Sequence, residues 1–254
     1  MRRFFILFFV KLLILTCPSL TYSQENPVSP IRAPDQSWEE ALSQQMDLWG
    51  ESVLTPEISL LQNITPNAIE GIPEWPMGLP ALNTFVSQVR HARIYTNPNT
   101  GNYKRKAPWL YPIDGCYAKA AHISAQASAR GLPRPGKIFA FGRLSYSTPY
   151  APRGKVWWSY HVAAAYHVGS TIFVLDPTVN GRAALTVEQW LNAISANPSK
   201  VRVKLCDANA YSPSSRCRGS NGNGAYLGHI RYVLKREYNN LRNLGIAPSS
   251  VLAP

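Results

Sequence analysis

Three side chains suited to nucleophilic acyl chemistry follow one another along this chain: Cys116, His161 and Asp176. A thiol attacks a carbonyl as thiolate, so it needs a base close by, and imidazole is the usual one. A carboxylate bonded to that imidazole fixes its tautomer and stabilises the imidazolium. Cys116 follows the turn residues Tyr111-Pro112-Ile113-Asp114-Gly115 and opens an Ala-rich stretch of helical character. A cysteine at a helix start lies at the positive end of the helix dipole, which favours thiolate, and nearby N–H groups are placed to hold an oxyanion. Most free cysteines are merely small buried hydrophobes, so the case rests on the companions of Cys116. His161 lies in Trp157-Trp158-Ser159-Tyr160-His161-Val162-Ala163, whose alternation puts His161, Ala163 and Ala165 on one strand face. Asp176 ends the next strand, Val174-Leu175-Asp176-Pro177, within reach across a hairpin.

Other chemistries fit less well. His167 shares the face of His161, so Cys116, His161, His167 and Asp176 offer the ligand types of a zinc site. No pair among them has the short-loop spacing of structural zinc, and neither metal nor cofactor is expected. No G-x-S-x-G elbow occurs. His122 and His229 read as ordinary helix residues. Trp157 and Trp158 are candidates to wall a substrate slot, with a core role the expectation for one of them.

The elements that must position these residues follow from periodicity and turn chemistry. Helices are expected over 80–92, 116–130, from Thr186 to 194 and over 227–244. Strands are expected over 137–144, 156–168, 171–176 and 201–205, with Gly169-Ser170 as a two-residue turn and 93–109 irregular. The fold class is α+β: a nucleophile-bearing helix on an antiparallel sheet, preceded by a small acidic segment.

The chain has 254 residues, and Lys and Arg outnumber Asp and Glu by 26 to 14. Hydrophobic residues make up 45%, enough for a core and too many for wholesale disorder. Residues 1–23 read as a secretory signal, with Arg2 and Arg3 at its head, a short apolar run, and Pro18 before a small-residue cut site. The apolar run is too short for a membrane anchor, and Thr16 is a poor fit for a lipid attachment site at Cys17. A secreted or periplasmic protein is expected. Without Cys17, Cys116, Cys206 and Cys217 remain; Cys206 and Cys217 bracket a Ser/Arg/Gly-rich loop and are the expected disulfide. Cys116 is then a thiol left free in an oxidising compartment.

Charge divides the chain. From Gln24 to Gly78 nine acidic residues face one basic residue; from Leu79 to Pro254, 22 basic residues face five acidic ones. The break falls in a Pro/Gly-rich stretch, 71–80, with the character of a linker or processing region. Opposite signs predict that 24–78 folds back on 79–254 as an intramolecular partner, either a removable pro-segment or a permanent cap. The acidic part also holds a capping-box start, Ser37-Trp38-Glu39-Glu40, and an apolar stripe of Trp38, Leu42, Met46 and Trp49. The positive residues of 79–254 are scattered rather than clustered, which argues against nucleic acid as a partner. A monomer without membrane insertion is expected.

Three motifs resemble the bacterial protein-glutaminases, which are secreted protein deamidases: Tyr111-Pro-Ile-Asp-Gly-Cys-Tyr-Ala-Lys-Ala, Trp158-Ser-Tyr-His-Val-Ala and Val174-Leu-Asp-Pro. The helix Pro80-Ala-Leu-Asn-Thr-Phe-Val-Ser-Gln-Val is similar too, and the likeness covers about residues 79–190. It implies a papain/transglutaminase-like core and a triad of Cys116, His161 and Asp176. It further implies hydrolysis of the side-chain amide of protein-bound glutamine, a partner with accessible glutamine, and an N-terminal pro-region over the cleft. The stretch Ser145–Lys155 before the His161 strand is not matched by these motifs. A cysteine peptidase, a cell-wall amidase or a transglutaminase would use the same triad, and a binding or toxin-like module would keep the fold without turnover.

Overall fold

A computed structural model describes residues 71–95, 104–210 and 226–252. The expected signal, the acidic segment up to residue 70 with its capping box and stripe, and Cys217 lie outside the described residues.

A five-stranded antiparallel sheet organises the rest. Its strands are β3 (Gly136–Ser147), β4 (Lys155–Val168), β5 (Thr171–Leu175), β6 (Leu185–Thr186) and β7 (Arg202–Cys206), in the order β6-β5-β4-β3-β7. The central strand β4 is buried along nearly its whole length, because helices cover both sheet faces. On one face lie α1 (Gly78–His91), α2 (Cys116–Ser128) and α4 (Tyr226–Asn243); their Leu82, Phe85, Ile123 and Ile230 pack with Phe139, Val162 and Tyr166. On the other lies α3 (Val187–Ile194), whose Trp190 and Leu191 meet Ile138, Ala163 and Val174. A short helix, α5 (Pro248–Leu252), closes the described chain. The antiparallel sheet with a nucleophile-bearing helix against it is the expected α+β architecture.

Local signals place these elements. The Gly169-Ser170 turn joins β4 to β5 with His167 opposite Ile172. Thr186 caps α3 in a reciprocal capping box with Gln189, satisfying two backbone donors. Two stretches differ from expectation. Residues 93–109 are not wholly irregular: β1 (Arg93–Tyr95) pairs antiparallel with β2 (Lys104–Lys106), and Arg105 is anchored to Glu237 of α4 at 2.7 Å. The Pro/Gly stretch at 71–77 is packed rather than loose. Ile72 and Trp75 are buried, and Trp75 lies against Phe85 and Tyr166. The Trp75 N–H also donates to the His167 carbonyl at 2.8 Å. Apolar burial of an indole outweighs the local turn character of its neighbours. No helix among the described residues is long and apolar enough to cross a membrane.

Candidate active site

Cys116 is the first residue of α2 and is buried. The preceding Gly115 has φ +81°, and a Cβ there would meet Val233 Cγ2 of α4 at 2.6 Å. Both the left-handed backbone and the close approach of α4 therefore call for glycine. Asp114 accepts from the Gly115 N–H at 2.7 Å, and the first backbone bond of the helix runs from the Lys119 N–H to the Gly115 carbonyl. The earlier N–H groups of the first turn have no acceptor within the helix.

His161 and Asp176 come from β4 and the end of β5. The imidazole donates from Nε2 to Asp176 Oδ2 at 2.7 Å, with both side chains buried. Asp176 also accepts from Trp190 Nε1 at 3.0 Å and from the Thr178 N–H at 3.2 Å. Three donors on one carboxylate hold the imidazole's orientation. Trp158 stacks on His161 with ring centroids 4.3 Å apart and planes 8° apart, and its Nε1 donates to the Pro112 carbonyl at 2.9 Å. One indole thus ties the histidine to the turn that launches Cys116.

With Nε2 engaged by Asp176, Nδ1 is the nitrogen left for the thiol. Nδ1 is buried and makes no hydrogen bond within ordinary limits, yet Cys116 is close enough to raise the proton affinity of the imidazole. Catalytic contacts are commonly this loose before substrate binds. Burial alone would lower the His161 pKa; the Asp176 carboxylate, its hydrogen bond and Cys116 outweigh burial and raise it to about 9. Burial would raise the Asp176 carboxyl, but His161, Trp190 and Lys119 hold it below its ordinary value. A raised imidazole pKa favours the imidazolium half of a thiolate–imidazolium pair, the state from which thiol acyl chemistry starts.

Lys119 is a member of this site that sequence reasoning missed. It is buried one helical turn after Cys116, and its Nζ donates to the Tyr111 carbonyl at 2.6 Å and to Thr178 Oγ1 at 3.4 Å. Burial lowers its pKa against the pull of Asp176. A lysine inside an otherwise Ala-rich buried helix was the available signal. Trp190 was missed because it sits at a core position of an amphipathic helix.

The other candidates are dispersed. Trp157 is 40% exposed, with Arg153 and Lys155 over its ring; neither Trp157 nor Trp158 lines the pocket at Cys116. His167 is bonded through Nδ1 to the Gly169 carbonyl. His122 is buried with both ring nitrogens unpartnered, and burial lowers its pKa to about 4. His229 stands edge-on to Tyr117. Cys206 ends β7 and is buried; with Cys217 outside the described residues, their pairing is not described.

A thiol at a helix start, an imidazole and a carboxylate share one small pocket, the set of groups that thiol acyl chemistry needs. Residues 82–194 match the family model described as Glutaminase. That span holds Cys116, His161 and Asp176, so the part of the chain that carries the site is glutaminase-like, and the resemblance carried by the motifs is met there by an enzyme family. No curated protein matches the chain. Among solved structures, a protein-glutaminase crystal structure is 23% identical, covering 63% of this chain and 86% of that chain, with a TM-score of 0.47. The protein-glutaminase of Chryseobacterium proteolyticum, solved by NMR, is 24% identical over 61% of this chain and 84% of that one, with a TM-score of 0.44. A pro-protein-glutaminase structure is 21% identical over 79% of this chain and 68% of that one, with a TM-score of 0.45.

Proposed function

We infer that this chain is an exported protein-glutamine deamidase acting through a cysteine thioester. The observation that carries the reading is the buried His161–Asp176 pair, which leaves Nδ1 free for Cys116 within the glutaminase-like span. Cys116 Sγ attacks the γ-carbonyl carbon of a protein-bound glutamine, and its proton resides on His161 Nδ1. The N–H of Cys116 and its helix start hold the oxyanion. Collapse of the tetrahedral intermediate breaks the C–N bond, and His161 gives its proton to the departing ammonia. His161 then takes a proton from water, whose oxygen attacks the thioester carbon. Glutamate forms, and the thiolate leaves with the imidazolium restored. Asp176 orients the imidazole, and Lys119 ties the nucleophile helix to the loop after Asp176. In this reading residues 1–23 direct export, 24–78 form an acidic partner of the basic domain, and Cys206 pairs with Cys217. Because Ile72 and Trp75 are core residues, a cut that releases the acidic segment and leaves the core whole falls before residue 72.

The test is to incubate the full chain, untreated and after limited proteolysis, with an unfolded glutamine-rich protein, beside the Cys116→Ala chain. Ammonia release matched by amide-to-acid mass changes, absent in Cys116→Ala, is the expected result. Backbone fragments would move the assignment to a peptidase, and incorporation of an added amine to a transglutaminase. A folded chain that does none of these would be a binding module.

A further inference from the structure

Beside the small pocket at Cys116 lies a larger cleft of about 210 Å³, and the two share Trp109, Pro177 and Thr178. The cleft thus opens beside the position that the reacting side chain takes in the deamidase reading. Its walls include Leu110, Tyr146, Thr148 and Tyr150, together with the side chain of Arg90; no Asp or Glu lines it. Tyr146, Thr148 and Tyr150 belong to Ser145–Lys155, the stretch that the quoted motifs leave unmatched.

Arg90 is half-buried near the C-terminal end of α1. Its guanidinium donates to the carbonyl of Pro177, the residue after Asp176. Among the described residues no carboxylate pairs with it; the ion pairs there are Arg105–Glu237 and His161–Asp176. The buried Glu237 carboxyl is near enough to feel this charge but is spent on Arg105 and Leu110, so the guanidinium keeps N–H groups with no carboxylate bonded to them. The seat is also shaped for this side chain. A Cβ at Gly181 would meet Arg90 Cδ at 2.2 Å and Nε at 2.4 Å, and the Gly181 backbone lies outside the left-handed region. Glycine at 181 leaves room for this position of the guanidinium; a Cβ there would push the flexible end of Arg90 aside.

We propose that this cleft takes a carboxylate-bearing side chain adjacent to the reacting glutamine, paired with Arg90. The proposal rests on the deamidase reading for its substrate, and it makes an acidic neighbour a determinant of which glutamines are attacked. A guanidinium with free N–H groups suits the planar carboxylate of Glu or Asp, and a Lys neighbour would meet like charge in a half-desolvated cleft.

The experiment uses peptides identical except for Glu, Ala or Lys immediately before or after one glutamine. Binding is titrated against the full chain carrying Cys116→Ala, and turnover is measured with Cys116 in place. The Glu peptide should bind about tenfold more tightly than the Lys peptide at low ionic strength, with the ratio shrinking as salt screens the pair. In Arg90→Met the ratio should fall to near one, and Arg90→Lys should keep part of it. A purely structural Arg90 would weaken all three peptides alike. Equal binding by the three peptides, or a preference unchanged in Arg90→Met, overturns the proposal. A charge preference in binding with no turnover would uphold Arg90 and remove the deamidase reading; turnover with no preference would do the reverse.

Discussion

Two ion pairs of equal length lie buried in this molecule, and they hold their protons differently. Arg105 meets Glu237 at 2.7 Å with the side chains 7% and 1% exposed, and His161 meets Asp176 at 2.7 Å with 4% and 6% exposed. At Glu237 burial dominates: the carboxyl is pushed up to about 7 despite Arg105, Lys119 and the Leu110 N–H. At Asp176 the same desolvation loses to His161, Trp190 and Lys119, and the carboxyl goes down. Glu237 accepts two hydrogen bonds, from Arg105 and Leu110, whereas Asp176 accepts three from His161, Trp190 and Thr178. The partners differ as well. A guanidinium cannot release its proton, so that pair only fastens β2 and the following loop to α4; an imidazole can, so in the proposed mechanism the second pair stores a proton for chemistry. Distance and burial do not distinguish these two pairs; donor count and partner type do.

The largest expected effect comes from breaking the second pair. Asp176→Asn keeps the shape but frees the imidazole to adopt the wrong tautomer, so deamidase kcat/KM should fall by about 10³–10⁴-fold while most of the stability is kept. Retention of activity within a few-fold would erase the distinction between the pairs. Breaking the first pair should do the opposite. Glu237→Ala strands Arg105 in the core and should cost about 3–5 kcal/mol in urea unfolding, with activity of the surviving folded fraction changed far less.

The pairs should also separate by pH. His161 rises from 6.5 unfolded to about 9 folded, so its stabilisation is complete below pH 6.5 and is lost as pH climbs through about 9. The loss is on the order of 3 kcal/mol for a shift of this kind. Glu237 rises from 4.5 to about 7, so its share is complete below pH 4.5 and is lost as pH climbs through about 7. Melting curves against pH should lose the upper window in His161→Asn and the lower one in Glu237→Gln; identical curves for both variants would refute the separation. The smallest effect is expected from Trp190→Phe, which removes one of the three donors on Asp176 and should lower kcat/KM by about tenfold, with the imidazole pKa, followed by NMR, moving by less than a unit.

Much of the site was legible in local pattern. Pro112 and Gly115 announce a turn into a helix, strict alternation through Ala163 and Ala165 sets the face of His161, and the Gly169-Ser170 turn brings Asp176 back beside it. Thr186 and Gln189 mark the start of α3 as plainly. The β1–β2 pair was not legible, because three-residue strands carry too little periodicity and Arg105 is held from α4, far along the chain. Trp75 looked like part of a linker, since an indole among turn residues shows its burial only when Phe85 and Tyr166 close on it.

The amino-acid sequence by itself determined which chemical types stand at which element ends: thiol at a helix start, imidazole along a strand, carboxylate at the close of a hairpin. These depend on turn chemistry and short periods, which act over a few residues. Only the tertiary structure decided that Nε2 of His161 is spent on Asp176, that Trp158 clamps the ring rather than lining the pocket, and that Lys119 and Arg90 flank the carboxylate's loop. Those outcomes depend on side-chain directions where α1, α2, α3 and the sheet meet. Close packing, not local propensity, selects one rotamer and one partner there.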